Sequence, residues 1–383
     1  MKRPVGKFTL SLTGKDSHTV NIDAGQGSFS IAPKSSGEKA DAYIDADTPV
    51  LWHAFDELET PAGSNWPRFF TYMGNDTSFV AWSKNREIED FRWILLAPAS
   101  IDLTEAQIRC LIVINGDFPL RIKLNNSVLR RVSFQGNPQL LTLEEATAIK
   151  DISFYLSTEK KSNTPVSLPF FSALEAIERI EISIPVVGQP FDCASLLPYK
   201  HLKSVSFWGN ICNTEALAQM PQLTSIAVRY CADMSGFPPL NTWANLNFCV
   251  FWNVEEETGK RLRQELKAIL KERKLQHGSV SQLRKKVWFA TEYNIPFTNW
   301  EGKKGKEAMK AYKATLKAIK KVKTEAEAKT LLVALIQVVN SLPDIETTER
   351  EDTAEAVFQL AASAPFAIDE DKVEQWFDTT RDF

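Results

Sequence analysis

The sequence predicts an α/β chain in which a run of repeated short strands lies between a strand-rich N-terminal domain and an all-helical C-terminal domain. Three observations support this prediction. Apolar residues alternate in the first 100 residues, one apolar pattern recurs between residues 101 and 255, and helical periodicity takes over from residue 256. The expected domains are therefore residues 1–100, 101–255 and 256–383.

The N-terminal domain is expected to consist of half-buried strands around a compact aromatic core. Phe8, Leu10 and Leu12 alternate with polar residues, which is the period of a strand with one buried face. Four tryptophans between residues 52 and 93 supply bulky side chains for the core. No catalytic or metal-binding pattern is recognisable in this domain.

The central domain is defined by the pattern apolar-x-x-apolar-x-apolar, which is typical of a short strand with one buried face. Six copies begin at Leu129, Ile149, Ile177, Leu202, Leu223 and Leu246. Their starting points are separated by 20, 28, 25, 21 and 23 residues. In three copies an Asn or Cys follows three residues after the last apolar position, namely Asn137, Asn210 and Cys231. A polar amide or a small thiol at this position suits the turn that ends the strand.

This pattern resembles that of the leucine-rich-repeat family, whose period is about 20–29 residues. The resemblance covers roughly residues 100–255. The stretch Lys286–Lys304 and the closing stretch Trp376–Phe383 also resemble those of uncharacterised bacterial proteins of this family. The resemblance implies an α/β leucine-rich-repeat solenoid with a parallel sheet on its concave side, and that side is the usual partner-binding face.

The candidate partner-binding residues are large side chains that the pattern places on this face, between or just after the buried strand positions. They are Tyr155, Trp208, Arg229, Tyr230, Phe248 and Trp252. Protein interfaces are enriched in Trp, Tyr and Arg, because these rigid side chains bury a large area at little entropic cost. The alternative is that the flanking domains cover these residues within the same chain.

The C-terminal domain has a polarised charge. Residues 258–323 contain 19 Lys and Arg against 5 Glu, a net charge of +14. Residues 324–383 contain 4 Lys and Arg against 14 Asp and Glu, a net charge of −10. Two interpretations follow: the two halves neutralise each other, or the basic helices of residues 258–323 bind nucleic acid or an acidic protein.

Composition argues against a membrane protein and against a disulfide-stabilised one. The chain has no run of 18 apolar residues and no signal-type apolar segment near residue 1, so a cytoplasmic location is expected. Its five cysteines are odd in number and lack C-x-x-C spacing, which favours reduced thiols over a disulfide framework or a zinc site.

Motifs for catalysis are missing from the sequence. There is no G-x-S-x-G elbow, and the glycine–lysine stretch Gly302–Lys306 lacks the Ser or Thr of a phosphate-binding loop. We therefore expect no enzyme activity, no cofactor and no metal. The favoured function is a non-catalytic protein-interaction module, with neutralisation of a partner, as in immunity proteins, as one role. The third alternative is an enzyme with its chemistry in the N-terminal domain.

Overall fold

The structure, a computed structural model, describes residues 2–157, 164–186, 188–293 and 295–383. The chain divides into two compact units, Met1–Lys286 and Val287–Phe383. The expected domain boundaries after residues 100 and 255 both lie inside the first unit, so the chain does not divide at either of them.

The secondary structure consists mostly of short strands in the first unit and of helices in the second. The strands are β1 (Gly6–Leu10), β2 (His18–Ile22), β3 (Ser28–Ala32), β4 (Ala42–Tyr43), β5 (Phe69–Met73), β6 (Ile88–Ile94), β7 (Ala99–Asp102), β8 (Ile108–Gly116), β9 (Leu120–Lys123), β10 (Arg131–Gly136), β11 (Leu141–Glu144), β12 (Asp151–Leu156), β13 (Arg179–Ser183), β14 (Phe191–Asp192), β15 (Ser204–Trp208), β16 (Ile211–Cys212), β17 (Ser225–Arg229), β18 (Phe248–Trp252) and β19 (His277–Ser281). The helices are α1 (Phe79–Ser83), α2 (Glu256–Glu272), α3 (Lys286–Thr291), α4 (Gly302–Ile319), α5 (Glu325–Asn340), α6 (Thr347–Ala362) and α7 (Glu370–Thr380).

Twelve of the described strands form one sheet, in the order β4-β3-β5-β6-β8-β10-β12-β13-β15-β17-β18-β19. Every pairing in this sheet is parallel. Apart from β4, the order in space follows the order in the chain. Two smaller parallel sheets, β11-β9-β7 and β14-β16, and the antiparallel pair β1-β2 complete the first unit.

This sheet shows that the predicted fold is wrong. The prediction was a leucine-rich-repeat solenoid over residues 101–255 with a separate strand-rich N-terminal domain and an all-helical C-terminal one. The structure instead has an α/β fold with one large parallel sheet. This sheet begins at Ser28 and continues to Ser281, beyond both ends of the predicted repeats. The apolar pattern identified strands with one buried face, and that property is shared by any parallel sheet whose one side packs on a core.

The sheet buries alternate residues of most of its strands, so one of its two faces packs on the hydrophobic core. In β6, Phe91 and Trp93 are fully buried, and in β10 the buried pair is Val132 and Phe134. The core is continuous from Leu10 to Leu275, so the first 100 residues share it with the strands that follow. At the matching buried position of the sheet the early strands carry Phe29, Phe70 and Phe91, where β10 and β12 carry Val132 and Ile152.

The second unit is a helical bundle with a core of its own. Helices α4 to α7 pack around buried side chains such as Tyr312, Leu332, Leu360 and Trp376. Helix α5 begins where the Thr324 side chain accepts a hydrogen bond from the backbone N–H of Glu327, a capping arrangement that supports the first turn.

Candidate functional site

The face of the large sheet that points away from the core carries small and polar side chains, and we call it the polar face. Because successive side chains of a strand point to opposite sides, the residues between the buried ones all lie on this face. Parallel pairing without a register shift from β12 to β19 aligns equivalent positions of neighbouring strands into rows that cross the sheet.

The middle row of the polar face is a floor of small side chains, which we call the trough. It consists, in register across five adjacent strands, of Ser133, Ser153, Glu181, Ser206 and Ala227. Ser133 and Ser153 are each only 4% exposed, so they lie at the bottom of the surface. Glu181 is the one member of this row with a charged side chain.

A second row lies at the carboxyl end of the strands, and we call it the aromatic edge. It consists of Tyr155, Ser183, Trp208, Arg229 and Trp252, again in register on adjacent strands. Tyr155 is 42% exposed and Trp208 is 37% exposed. Large aromatic groups with that much exposure leave apolar ring surface accessible to a partner.

The structure brings three of the predicted aromatic residues together. The ring of Tyr230 lies 4.5 Å from that of Trp208 and 4.9 Å from that of Trp252, measured between centroids. Tyr230 itself is only 6% exposed, because it follows β17 in a left-handed conformation with φ of 55° that turns it between the two indoles. It therefore packs against both tryptophan rings.

Phe248 does not belong to this group. It lies at the other end of β18 from Trp252, four residues away and so about 13 Å along the strand. Its ring packs instead against that of His277 on the edge strand β19, at a centroid distance of 5.3 Å. Phe248 is therefore separated from the ring cluster of Trp208, Tyr230 and Trp252, and Tyr155 lies two strands away from Trp208.

Two adjoining cavities open on the polar face. The larger, of about 830 Å³, is lined by Trp208, Arg229 and Phe248 above a floor that includes Ser204, Ser206 and Ser225. The smaller, of about 470 Å³, is lined by Tyr155, Ser133 and Ser153. Glu181 lines both cavities, so the trough connects them.

The smaller cavity contains residues that the sequence analysis did not find. Asp90, Arg92 and Cys110 line it from β6 and β8, alongside Arg131. Burial raises the pKa of the Asp90 carboxyl, and Arg131 partly opposes that effect. Burial likewise raises the pKa of the Cys110 thiol, which keeps it protonated near neutral pH. The sequence signal for Asp90 and Arg92 was their alternation with buried Phe91 and Trp93.

Most charges along the rim of the larger cavity are neutralised within the chain. Arg179 donates to the Asp151 carboxylate at 2.9 Å, and Lys203 donates to Glu178 at 3.0 Å. Arg229 donates to the Ser206 hydroxyl at 3.4 Å. In the described part of the chain, no group of three or more His, Cys, Asp or Glu side chains is arranged to hold a metal ion.

A second surface is found on α4 in the helical unit, and we call it the lysine stripe. Its exposed residues recur every three or four positions, which places them on one side of a helix. They are Lys303, Lys306, Lys310, Lys313, Lys317 and Lys320. The opposite side of α4 is buried through Ala308, Tyr312 and Ile319.

Few acidic groups accompany these lysines. Lys303 lies 3.6 Å from Glu307 and Lys313 lies 3.2 Å from Glu292, whereas the other four lysines form no ion pair with any residue that the structure describes. Lys304 of α4 forms an ion pair with the acidic half of the C-terminal domain, residues 324–383. Its ammonium lies 2.8 Å from the carboxylate of Glu349.

The comparisons with known proteins give no assignment. No protein-family model matches the chain, and no curated protein matches it. Among the described helices, none is both long and apolar enough to span a bilayer. The function is therefore inferred from the geometry of the chain's own residues.

Proposed function

We propose that the chain is a non-catalytic protein-interaction module that binds a protein partner through the polar face of its large sheet. The observation that carries the proposal is the aromatic edge. Trp208, Arg229 and Trp252 lie in register on three adjacent strands, and Trp208 is substantially exposed beside a cavity of about 830 Å³.

The composition of this surface supports binding of a protein. Interface centres combine aromatic and Arg anchors with smaller groups that exclude water around them. Here the two indoles are held by Tyr230, so little side-chain entropy remains to be lost on binding. The small hydroxyls of Ser204, Ser206 and Ser225 leave room for partner side chains.

The test is to compare three proteins as baits in extracts of the native organism after nuclease treatment. These are the wild type, the double variant Trp208→Ala with Trp252→Ala, and the control Phe170→Ala. Phe170 is a suitable control because it is 52% exposed but lies outside the polar face. We expect one captured protein to be lost with the double variant and retained with the control.

The captured protein is then purified and its affinity is measured. Removing two central aromatic anchors should weaken binding at least about 30-fold, since even one interface residue of this kind contributes about 2 kcal/mol or more. Equal capture by all three baits, or an affinity that the double variant leaves unchanged, would show that the aromatic edge is not the binding surface.

The lysine stripe favours a second candidate function, binding of nucleic acid through α4. From Lys303 to Lys320 the stripe extends about 25 Å at the rise of an α-helix, and its lysines can neutralise several backbone phosphates. The buried opposite side of α4 excludes insertion of that helix into a membrane, because its apolar residues already form the core of the unit.

This second function is tested by the salt dependence of binding to a fluorescent DNA duplex. Affinity should fall with a log–log slope of about −0.9 per phosphate contact, and Lys306→Ala with Lys310→Ala should flatten that slope by about two contacts. Lys267→Ala with Lys271→Ala on α2 is the control of equal charge. If both double variants weaken duplex binding equally, α4 has no special role in that binding. If the chain binds an acidic protein in preference to the duplex, the lysine stripe is a protein-binding surface instead.

A cytoplasmic location is also part of the proposal. All five cysteines are free thiols, which is the usual state in a reducing compartment. Fractionation of native cells should recover the protein with cytoplasmic markers, and recovery with exported proteins would contradict it.

A further inference from the structure

We propose that Glu181, together with the flanking aromatic rings of Tyr155 and Trp208, forms a subsite for a cationic side chain of the partner, with the guanidinium of an arginine as its best occupant. This inference rests on the proposed function and names the chemistry that the polar face would recognise.

Glu181 is placed to accept a ligand. It lies in the middle of the trough, between the small side chains of Ser153 and Ser206, and it lines both cavities of the polar face. Its carboxylate accepts one long hydrogen bond, from the Ser153 hydroxyl at 3.5 Å, and forms no salt bridge with any described residue. Two carboxylate oxygens can accept about four hydrogen bonds, so most of that capacity is left for a ligand.

The basic residues around Glu181 do not satisfy it, because they have other partners. Arg179 on the same strand pairs with Asp151 at 2.9 Å, and Arg229 donates to Ser206. Arg92 and Arg131 line the smaller cavity and both lower the pKa of Asp90 against the effect of burial. The negative charge of Glu181 is therefore available at the junction of the two cavities.

The aromatic rings add to the attraction for a cation. Tyr155 and Trp208 stand on either side of Ser183, two strand spacings and so about 9.6 Å apart at the backbone. The small side chain of Ser183 lies between them in the same row. Burial first and the charge of Glu181 second raise the pKa of the Tyr155 hydroxyl, so the carboxylate acts on that residue directly.

A cation fits this arrangement better than an anion or an apolar group. The faces of aromatic rings attract cations, and a carboxylate binds a guanidinium through two parallel hydrogen bonds. Arg is preferred to Lys because its planar group can stack on a ring while it donates in its own plane. A free anion would face the charge of Glu181 instead.

The test uses the full chain and two short peptides, acetyl-Gly-Arg-Gly-amide and the same peptide with citrulline. Citrulline keeps the shape of arginine but carries no charge, so it isolates the role of the cation. Binding is followed by the shifts of indole N–H resonances in NMR spectra. We expect saturable binding of the arginine peptide, at least about tenfold weaker binding of the citrulline peptide, and weakening when salt is added.

Variants locate the subsite. Glu181→Gln should weaken the arginine peptide at least about tenfold, because a charged hydrogen bond is replaced by a neutral one of the same shape. Glu178→Gln is the matched control, since Glu178 lines the same cavity but pairs with Lys203 at 3.0 Å, and it should change binding less than about twofold. The Tyr155→Phe variant keeps the aromatic ring and should still bind the arginine peptide.

The outcomes separate this inference from the proposed function. Equal binding of the two peptides, no saturable binding, or equal effects of Glu178→Gln and Glu181→Gln would overturn the cation subsite. The proposed function fails independently, if Trp208→Ala with Trp252→Ala retains the captured partner. A partner that is lost with the double variant but bound normally by Glu181→Gln would leave the polar face as an interface and remove the subsite.

Discussion

Replacement of Gly209 by alanine tests how closely the segment that follows β15 packs on the segment that follows β13, at the carboxyl end of the large sheet. Gly209 follows β15 directly, with φ of 103°, and its backbone N–H donates to the carbonyl of Arg229 at 2.9 Å. A Cβ atom built at Gly209 would lie 2.9 Å from the carbonyl carbon of Ile184 and closer still to the oxygen of that group. The obstacle is backbone, so it cannot rotate away.

Two costs add for Gly209→Ala. The left-handed backbone conformation disfavours any residue with a Cβ by on the order of 1–3 kcal/mol. Forcing the connection at Ile184 away from the sheet adds overpacking strain of about 1–3 kcal/mol. Gly25 provides the matched control, because it has φ of 88° but no atom lies within 4 Å of the place that its Cβ would occupy, so Gly25→Ala carries the first cost alone.

Urea unfolding of both variants measures the total cost, and amide hydrogen exchange in β13 and β15 shows where it acts. We expect Gly209→Ala to be less stable than Gly25→Ala by about 1–3 kcal/mol, with faster exchange confined to the strands around the substitution. Equal stability of the two variants would refute the close approach of Gly209 to Ile184.

Three further predictions concern stability. Burial raises the pKa of Cys231 and that of Tyr199 to about 12, from ordinary values of 9.0 and 10.0. Their neutral forms are favoured in the folded state, so the contribution of each group to stability is fully present below its ordinary pKa. The contribution of Cys231 should be lost between pH 9 and 12 and that of Tyr199 between pH 10 and 12, each by up to about 1.4 kcal/mol per pH unit, as urea titrations at several pH values will show. Glu255→Ala should lower the free energy of unfolding by about 1–2 kcal/mol in chemical denaturation. The reason is that the buried Glu255 carboxylate accepts hydrogen bonds from two backbone N–H groups at the start of α2. The control Glu256→Ala should lower it by less than about 0.5 kcal/mol. Arg86→Met should cost several kcal/mol, on the order of 3, because buried Arg86 donates to three backbone carbonyls, and an unchanged thermal midpoint would contradict that role.

Parts of the candidate site could be predicted from the sequence. Trp208, Arg229 and Trp252 occupy matching positions in three copies of the apolar pattern, and matching positions become neighbours when the strands pair without a shift. The burial of Tyr230 could not be predicted, because it depends on a left-handed residue after β17. Phe248 was grouped with the tryptophans although the length of β18 separates them.

The limits of the sheet were also missed, for a physical reason. Pairing between strands that are distant in the chain is not specified by the apolar pattern of any one strand. Asp90 and Arg92 thus seemed to belong to another domain, although the structure places them in the cavity of Tyr155.

The sequence by itself determined which side of each strand is buried, because alternation along an extended chain is a local steric property of successive residues. The helical periodicity from residue 256 and the basic charge of residues 258–323 were likewise visible in the sequence. Only the tertiary structure decided how many strands share one sheet and where the trough, its two cavities and Glu181 meet. Those features depend on hydrogen-bonded register between strands that lie 20 or more residues apart in the chain, and no local pattern specifies that pairing.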